Sequence, residues 1–331
     1  MTATVRRPVS SLIALACILP LLAFAAPASA EDTYPAHPVR IIMPFPPGGS
    51  DLLARLIANE LTKRLGQSFY VDNIPGAGGT IGTTQAARSK PDGYTLVAGT
   101  PGPITISPVA AKGLSYDAEK DLVPISIIAY GPPVLVVGKN SPYKSVKEVI
   151  DAAKAKPKSL TFGSAGYGAY SHLNGELLSA LAGIQLTHVP YKGSSPVLVD
   201  LIGGRIDLEV ELFSTVQKLI ESGEIRALAV GSSKRYPLRP EIPTLSESGV
   251  PGFETAAWVG LLAPRGTPIE VIDLIHKTLA SSVTDPAVVK QINGLGMVPG
   301  GMSPADFKKI IDRDRTQVRG LVQRTGLTLT Y

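Results

Sequence analysis

From Val39 onward, short apolar runs alternate with stretches whose apolar residues recur at helical spacing. That alternation is the sequence signature of an α/β fold built mainly from parallel strands. The first unit is the clearest. Val39-Arg40-Ile41-Ile42-Met43 reads as a buried strand, residues 44–50 as a loop, and residues 51–65 as a helix with Leu52, Leu53, Leu56, Ile57, Leu61 and Leu65 on one side, stopped by Gly66. The same reading predicts strands at 69–73, 94–98, 125–129, 134–137, 160–163, 187–189, 206–210, 227–230 and 258–262. Helices are predicted at 80–88, 145–155, 171–181, 196–202, 216–222, 268–280, 286–295 and 304–325. Length favours two lobes. The chain is expected to cross between them near Tyr130 and near Glu254, so that 31–130 with 255–331 form one lobe and 131–254 the other.

The first thirty residues follow another pattern. Arg6 and Arg7 precede an apolar run over 12–26, and Ala28-Ser29-Ala30 has the small-x-small form that signal peptidase reads, so an export signal cleaved after Ala30 is expected. The run is interrupted by Pro20 and is shorter than the roughly 20 residues a bilayer span requires. Cleavage would remove Cys17, the only cysteine, and two of the 32 basic residues but none of the 27 acidic ones, so the formal charge of +5 becomes +3. The mature chain is therefore expected to be a thiol-free protein of the periplasm.

Composition then removes function classes. A hydrophobic content of 44% excludes a disordered chain, and charged residues at 18%, thinly spread, do not make a nucleic-acid surface. One cysteine excludes a disulfide framework and a cysteine zinc site, and His37, His172, His188 and His276 are far apart in sequence without ligand spacing. No cofactor, metal or nucleic-acid partner is expected. The 33 glycines and 29 prolines, close to a fifth of the chain, gather instead at strand-to-helix loops.

Three of these loops repeat one design, a buried strand running through glycine or serine into a helix start: 45–50, 163–171 and 191–195. Each leaves free backbone N–H groups where the helix dipole also favours negative charge. A fourth loop, 99–103, could close the ring through Thr100. Together they predict a cleft that holds an anion with neutral donors. No G-x-x-x-x-G-K-[ST] loop and no G-x-G-x-x-G fingerprint is present, so the anion reads as a carboxylate rather than a nucleotide phosphate. Each loop taken alone is equally well a tight turn.

Tyr34-Pro35, Pro38 to Ile42 and Pro44-Phe45-Pro46-Pro47-Gly48-Gly49-Ser50 resemble the opening of the Bug receptors, the TctC-like periplasmic solute-binding proteins of tripartite tricarboxylate transporters. Further matches follow in register at 72–79, 90–96, 163–166, 171–173, 188–193 and 260–264. The resemblance implies a two-lobed periplasmic binding protein of the Venus-flytrap type, type II-like, with a mainly parallel sheet in each lobe. It implies a receptor rather than an enzyme, closing on a small carboxylate and delivering it to membrane permease subunits, and expected to act as a monomer. Carried onto this chain, it assigns Phe45, Pro47, Gly48, Gly49 and Ser50 to the site, with Ser164, Ala165, Gly166, Tyr167, Gly168 and Ser171 from the second lobe. Many members carry Asp-Asn where this chain has Glu211-Leu212.

Tyr167, Tyr170 and Phe213 would add aromatic surface, which favours an aromatic carboxylate or a dicarboxylate as ligand, an aliphatic di- or tricarboxylate being the alternative. Tyr191 and Lys192 are candidates for a distal carboxylate, and Lys192 reads equally as a solvated surface residue. Glu211 either reaches the cleft, where it would repel a second ligand carboxylate, or orients the following helix through Ser214 and Thr215. Catalysis lacks support: there is no Gly-x-Ser-x-Gly elbow. A binding protein that feeds a signalling partner would have the same ligand chemistry as one that feeds a permease.

Overall fold

The computed structural model describes residues 1–4, 34–326, 328 and 329. The body of the expected export signal and its cleavage position after Ala30 lie outside the described residues. In chain order the strands are β1 (Val39–Met43), β2 (Phe69–Asn73), β3 (Thr95–Gly99), β4 (Leu122–Gly131), β5 (Pro133–Gly138), β6 (Thr161–Ser164), β7 (Thr187–Pro190), β8 (Leu208–Leu212), β9 (Ile225–Val230), β10 (Ala257–Pro264) and β11 (Val298–Pro299). The helices are α1 (Gly49–Leu65), α2 (Thr80–Ala87), α3 (Ser107–Ala110), α4 (Val146–Ala155), α5 (Tyr170–Ala182), α6 (Ser194–Ile202), α7 (Phe213–Glu221), α8 (Ile269–Ser282), α9 (Pro286–Gly294) and α10 (Pro304–Thr325).

These strands form two sheets, ordered β11-β4-β10-β3-β1-β2 and β7-β6-β8-β5-β9. The chain passes from the first sheet to the second through Pro132, between β4 and β5, and returns through 231–256, between β9 and β10. The two sheets with their helices are the two lobes. Parallel pairing covers β3-β1-β2 in one sheet and β7-β6-β8 in the other. The remaining pairings, around β4, β10, β5 and β9, are antiparallel, so each sheet is mixed rather than mainly parallel throughout. The cause is connectivity. The parallel strands are joined by helical crossovers, whereas the strands flanking the two passages between lobes are added against that direction.

Each sheet is covered on both faces. In the first lobe α1 and α8 close one face over Ile41, Met43, Leu96, Ile125 and Leu261. The other face packs Trp258 edge-on against Phe307 of α10, ring centroids 4.9 Å apart. In the second lobe α4 and α5 cover Leu135, Val137, Leu208 and Val210, while α6 and α7 cover Val134 and Val136. Burial on both faces explains why β5 is apolar at every side-chain-bearing position, with all six residues buried. Caps place the helix starts: Ser145, Asp285 and Ser303 accept first-turn N–H bonds, and proline opens α9 and α10.

Short elements escape sequence periodicity, among them the 3-10 turn Ala77–Gly79. Residues Gly102–Ile106 form a π-helical turn leading into the four-residue α3, and β11 is two residues long. All are too short for a repeating pattern to register. Boundaries move by one to three residues elsewhere, and two of the shifts bear on the cleft. α1 begins at Gly49, so Gly49 and Ser50 are its first turn and not the loop before it. α7 begins at Phe213, immediately after β8 with no breaker between, because Phe213 and Val216 both enter the core.

Candidate ligand-binding cleft

A cleft of about 1380 Å³ lies between the lobes. From the first lobe it is lined by Phe45, Ser50, Thr100, Pro101 and Gly102, and from the second by Tyr167, Gly168, Ala169, Tyr170, Glu211, Leu212, Ser214 and Thr215. Trp258 and Val259 of β10 form part of its wall. Four helical segments start here: α1 at Gly49, the π-helical turn at Gly102, α5 at Tyr170 and α7 at Phe213. A helix start leaves first-turn N–H groups without intrahelical partners and carries the positive end of the dipole. The lining charges are few: Glu211, Lys218 and Glu221. Lys218 is exposed and makes no ion pair among the described residues, whereas Glu221 accepts a bond from Gln217. An anion in this cleft would meet backbone donors, hydroxyls and one lysine.

The loop entering α5 is held from beneath. Ser164 is fully buried, and its Oγ accepts from Gly166 N–H at 3.2 Å and lies 2.6 Å from His188 Nε2. Ser171 Oγ accepts from Ala165 N–H at 3.1 Å, and His172 Nδ1 accepts from Gly168 N–H at 3.0 Å. The imidazoles of His172 and His188 stack 4.1 Å apart, with Phe162 stacked on His188 and Tyr167 edge-on to both. Burial pushes both histidines toward their neutral forms, and His188, also facing His172, is pushed down to about 4. Gly166 and Gly168 have φ of 127° and 75°, which keeps this bend to glycine. The Ser164–His188 contact is no catalytic dyad turned to solvent, since the hydroxyl is buried and committed to the loop.

The predicted residues thus separate into three groups. Phe45, Ser50, Thr100, Tyr167, Gly168, Tyr170 and Glu211 line the cleft. Ser164, Ala165, Gly166 and Ser171 shape its loop from within, and Pro47 and Gly48 are exposed on the approach to α1, with Gly49 its first residue. Tyr191, Lys192 and Phe213 lie elsewhere. Tyr191 donates to Asp200 at 2.8 Å, Lys192 is exposed away from the lining, and Phe213 is buried against Tyr236 with ring centroids 4.9 Å apart. Phe213 therefore adds core, not cleft surface. Two of the four histidines, far apart in sequence, meet: parallel pairing of β6 with β7 brings His188 beside His172 at the start of α5.

Glu211 reaches the cleft and is also tied down. Its Oε1 accepts from Leu212 N–H and its Oε2 from Ser194 Oγ, each at 2.7 Å, rather than from Ser214 and Thr215. Two neighbours went unread in the sequence. Lys218, not Lys192, is the lysine in the lining. Glu209 shares a strand face with Glu211, is wholly buried and has no hydrogen-bond donor on either oxygen among the described residues, and burial together with the Glu211 charge pushes its carboxyl up to about 10. The signal was available in Leu208-Glu209-Val210-Glu211-Leu212: period-two alternation in a central strand aims both acids at one face.

Residues 53–327 match the family described as the tripartite tricarboxylate transporter family receptor. The chain is 38% identical over 307 residues to the protein BugT of Bordetella pertussis, covering 92% of this chain and 94% of that one. Among solved structures it resembles R. palustris Rpa4515 with adipate, at 37% identity and a TM-score of 0.76 over 89% of this chain and 99% of that one. MatC from Rhodopseudomonas palustris with bound malate is similar at 29% identity and a TM-score of 0.72, over 87% and 100% of the two chains.

Proposed function

Because the chain belongs to the receptor family of tripartite tricarboxylate transporters, a family of periplasmic solute-binding proteins and not of enzymes, we propose that its cleft captures a small carboxylate. What carries this reading is the convergence of four helical starts, hydroxyl groups and Lys218 on one space between the lobes. A carboxylate there takes backbone N–H bonds at a dipole end, and the low charge of the lining keeps recognition directional rather than purely electrostatic. The preferred class is a dicarboxylate or an aromatic carboxylate. The relatives solved with adipate and malate support the first, and the rings of Tyr167 and Tyr170 support the second.

In this reading Ser50 and Thr100 meet the ligand from one lobe, Tyr167 to Tyr170 meet it from the other, and rotation about the passages at Pro132 and 231–256 closes the lobes. The closed form, exported to the periplasm, hands the ligand to membrane subunits of the transporter; a signalling partner is the alternative recipient. The test is a thermal-shift screen of the mature chain with adipate, malate, phthalate and benzoate against sucrose and putrescine. A ligand that binds only the folded state stabilises it by about 2.7 kcal/mol at a hundredfold excess over its Kd. A shift with at least one carboxylate is expected. A shift only with sucrose or putrescine would overturn the reading.

A further inference from the structure

We propose that the stacked His172–His188 pair is the positioning element of the cleft loop, and that His172 must be a neutral imidazole with bare Nδ1 for the loop to hold its ligand-competent shape. The inference rests on the carboxylate-cleft reading for its functional meaning and on loop geometry for its substance.

The loop contributes Tyr167, Gly168 and Ala169 to the lining, yet it has no regular secondary structure to fix it. Its shape is set by the Gly168 N–H bond to His172 Nδ1, the contact of Ser164 Oγ with His188 Nε2, the Ser171 Oγ bond to Ala165 N–H, and the edge of Tyr167 on both imidazoles. Because Nδ1 accepts, the His172 proton belongs on Nε2, which faces Glu176 Oε1 at 3.7 Å. Protonation would turn Nδ1 into a donor pointing at the Gly168 donor, and the bond would be lost. It would also set a cation 4.1 Å from the second imidazole.

The groups facing the pair are few. Phe162 of β6 stacks on His188, and Tyr167 of the loop caps both rings. Glu176 of α5 is the acidic group beside His172, and burial raises its own carboxyl. Glu176 favours a cationic His172. Desolvation opposes it, and both histidines are held below their ordinary value, His188 also by the His172 ring facing it. Acid therefore acts against a fold that prefers both rings neutral. The expected consequence is a receptor that binds well at neutral pH and loosens its loop in acid, below the range in which an ordinary histidine titrates.

The experiment reads the loop without needing a ligand. In the ligand-free mature protein, 15N NMR at pH 7 should show His172 Nδ1 as an unprotonated, hydrogen-bonded nitrogen. The Gly168 amide should be protected from exchange at pH 7 and lose at least tenfold of that protection as His172 titrates. His172→Asn offers Oδ1 where Nδ1 was, so it should keep the Gly168 bond and remove the pH dependence, while His172→Leu should lose the protection at every pH. A protonated Nδ1 at pH 7, or Gly168 protection that persists after His172 becomes cationic, would overturn the inference even if the leucine variant does not fold. Adipate and malate titrations of the wild type and His172→Asn proteins then report function. With a bound probe, wild-type affinity should fall with acid at least tenfold more than that of the asparagine variant, and parallel pH profiles would overturn the link to binding. If neither probe binds, the NMR result still decides the loop's role, and only the ligand reading is damaged.

Discussion

The turns entering α5 and α6 are built alike, each leading from a parallel strand through glycine and serine to a helix start, yet only the first lines the cleft. The first puts Tyr167, Gly168 and Ala169 into the cleft. The second spends its groups inward: Ser194 Oγ bonds Glu211, Tyr191 N–H bonds the Ser164 carbonyl at 2.9 Å, and Gly193 N–H bonds the Ala165 carbonyl at 3.2 Å. Sheet order explains the division. β6 lies inside its sheet beside β8, whereas β7 is the edge strand. A helix start that follows an inner strand opens on the space between lobes, and one that follows the edge strand becomes a support for its neighbour. A local motif thus specifies donors, and its place in the sheet decides who receives them.

The largest test sets one glycine against the other. Gly168 has φ of 75°, and a Cβ there would lie 2.2 Å from Leu329 Cδ2, in a buried contact that also includes the Leu329 N–H bond to the Ala110 carbonyl. Gly168→Ala is expected to cost about 1–3 kcal/mol in backbone strain and about 1–3 kcal/mol in overpacking, and to lower affinity for the carboxylate found in the screen at least tenfold. Gly193 has φ of 107° with open space around its missing Cβ. Gly193→Ala should show the strain cost alone and retain the ligand-induced thermal shift. Equal loss of binding in both variants would mean that the two turns do not divide the work as argued.

Beneath the supporting turn lies the next effect. Glu209, buried with its carboxyl raised to about 10, takes up a proton on folding that the unfolded chain releases above its ordinary carboxylate range. Its contribution favours the fold below about pH 4.3 and is lost as pH rises toward 10, by up to about 1.4 kcal/mol per unit. The fall spans the window from pH 5 to pH 8. Glu209→Gln should flatten the fall in stability over this window, measured by urea unfolding at several pH values. An unchanged slope would mean that Glu209 is ionised in the folded state.

Much of this architecture was legible from residue pattern because long apolar runs and helix stops are local properties. β1, α1, α4 and α10 lie within two residues of their predicted limits. The π-helical turn, α3 and β11 are too short to repeat anything. For the cleft, glycine and serine between a strand and a helix marked the loops of α1 and α5, since those residues are required by the turn itself. Which helix starts converge is a property of strand order. The turn at Tyr191 carries the same residue types and lies outside the lining, while the start of α7 is hidden by the direct passage from Leu212 into Phe213. The His172–His188 stack is equally nonlocal, made by pairing strands whose partner residues are 26 positions apart, Thr161 with Thr187 at one end and Ser164 with Pro190 at the other.

A smaller effect is expected at Ser194. Replacing it with alanine removes the bond to Glu211 Oε2 at a carboxylate only 5% exposed. Loss of a hydrogen bond to a charged group costs about 1.5–3 kcal/mol, so Ser194→Ala should lower the unfolding free energy by that amount. Affinity for a monocarboxylate should stay within twofold, because the turn supports the cleft without lining it. A large loss of monocarboxylate binding at unchanged stability would place Ser194 in the ligand's path.

The smallest effect concerns charge in the cleft lining. Lys218 sits in the last turn of α7, exposed, with no carboxylate within ion-pair distance among the described residues, while Lys192 by the supporting turn lies away from the lining. A second ligand carboxylate near Lys218 would form a solvated ion pair, worth about 0.2–1 kcal/mol and weakened by salt. Lys218→Met should therefore reduce affinity for a dicarboxylate such as adipate about two- to fivefold at low ionic strength, with little change for a monocarboxylate of similar length. Lys192→Met should change neither. If the two lysine variants behave alike, the second carboxylate is read by hydroxyls and backbone rather than by charge, and the dicarboxylate preference would rest on cleft length alone.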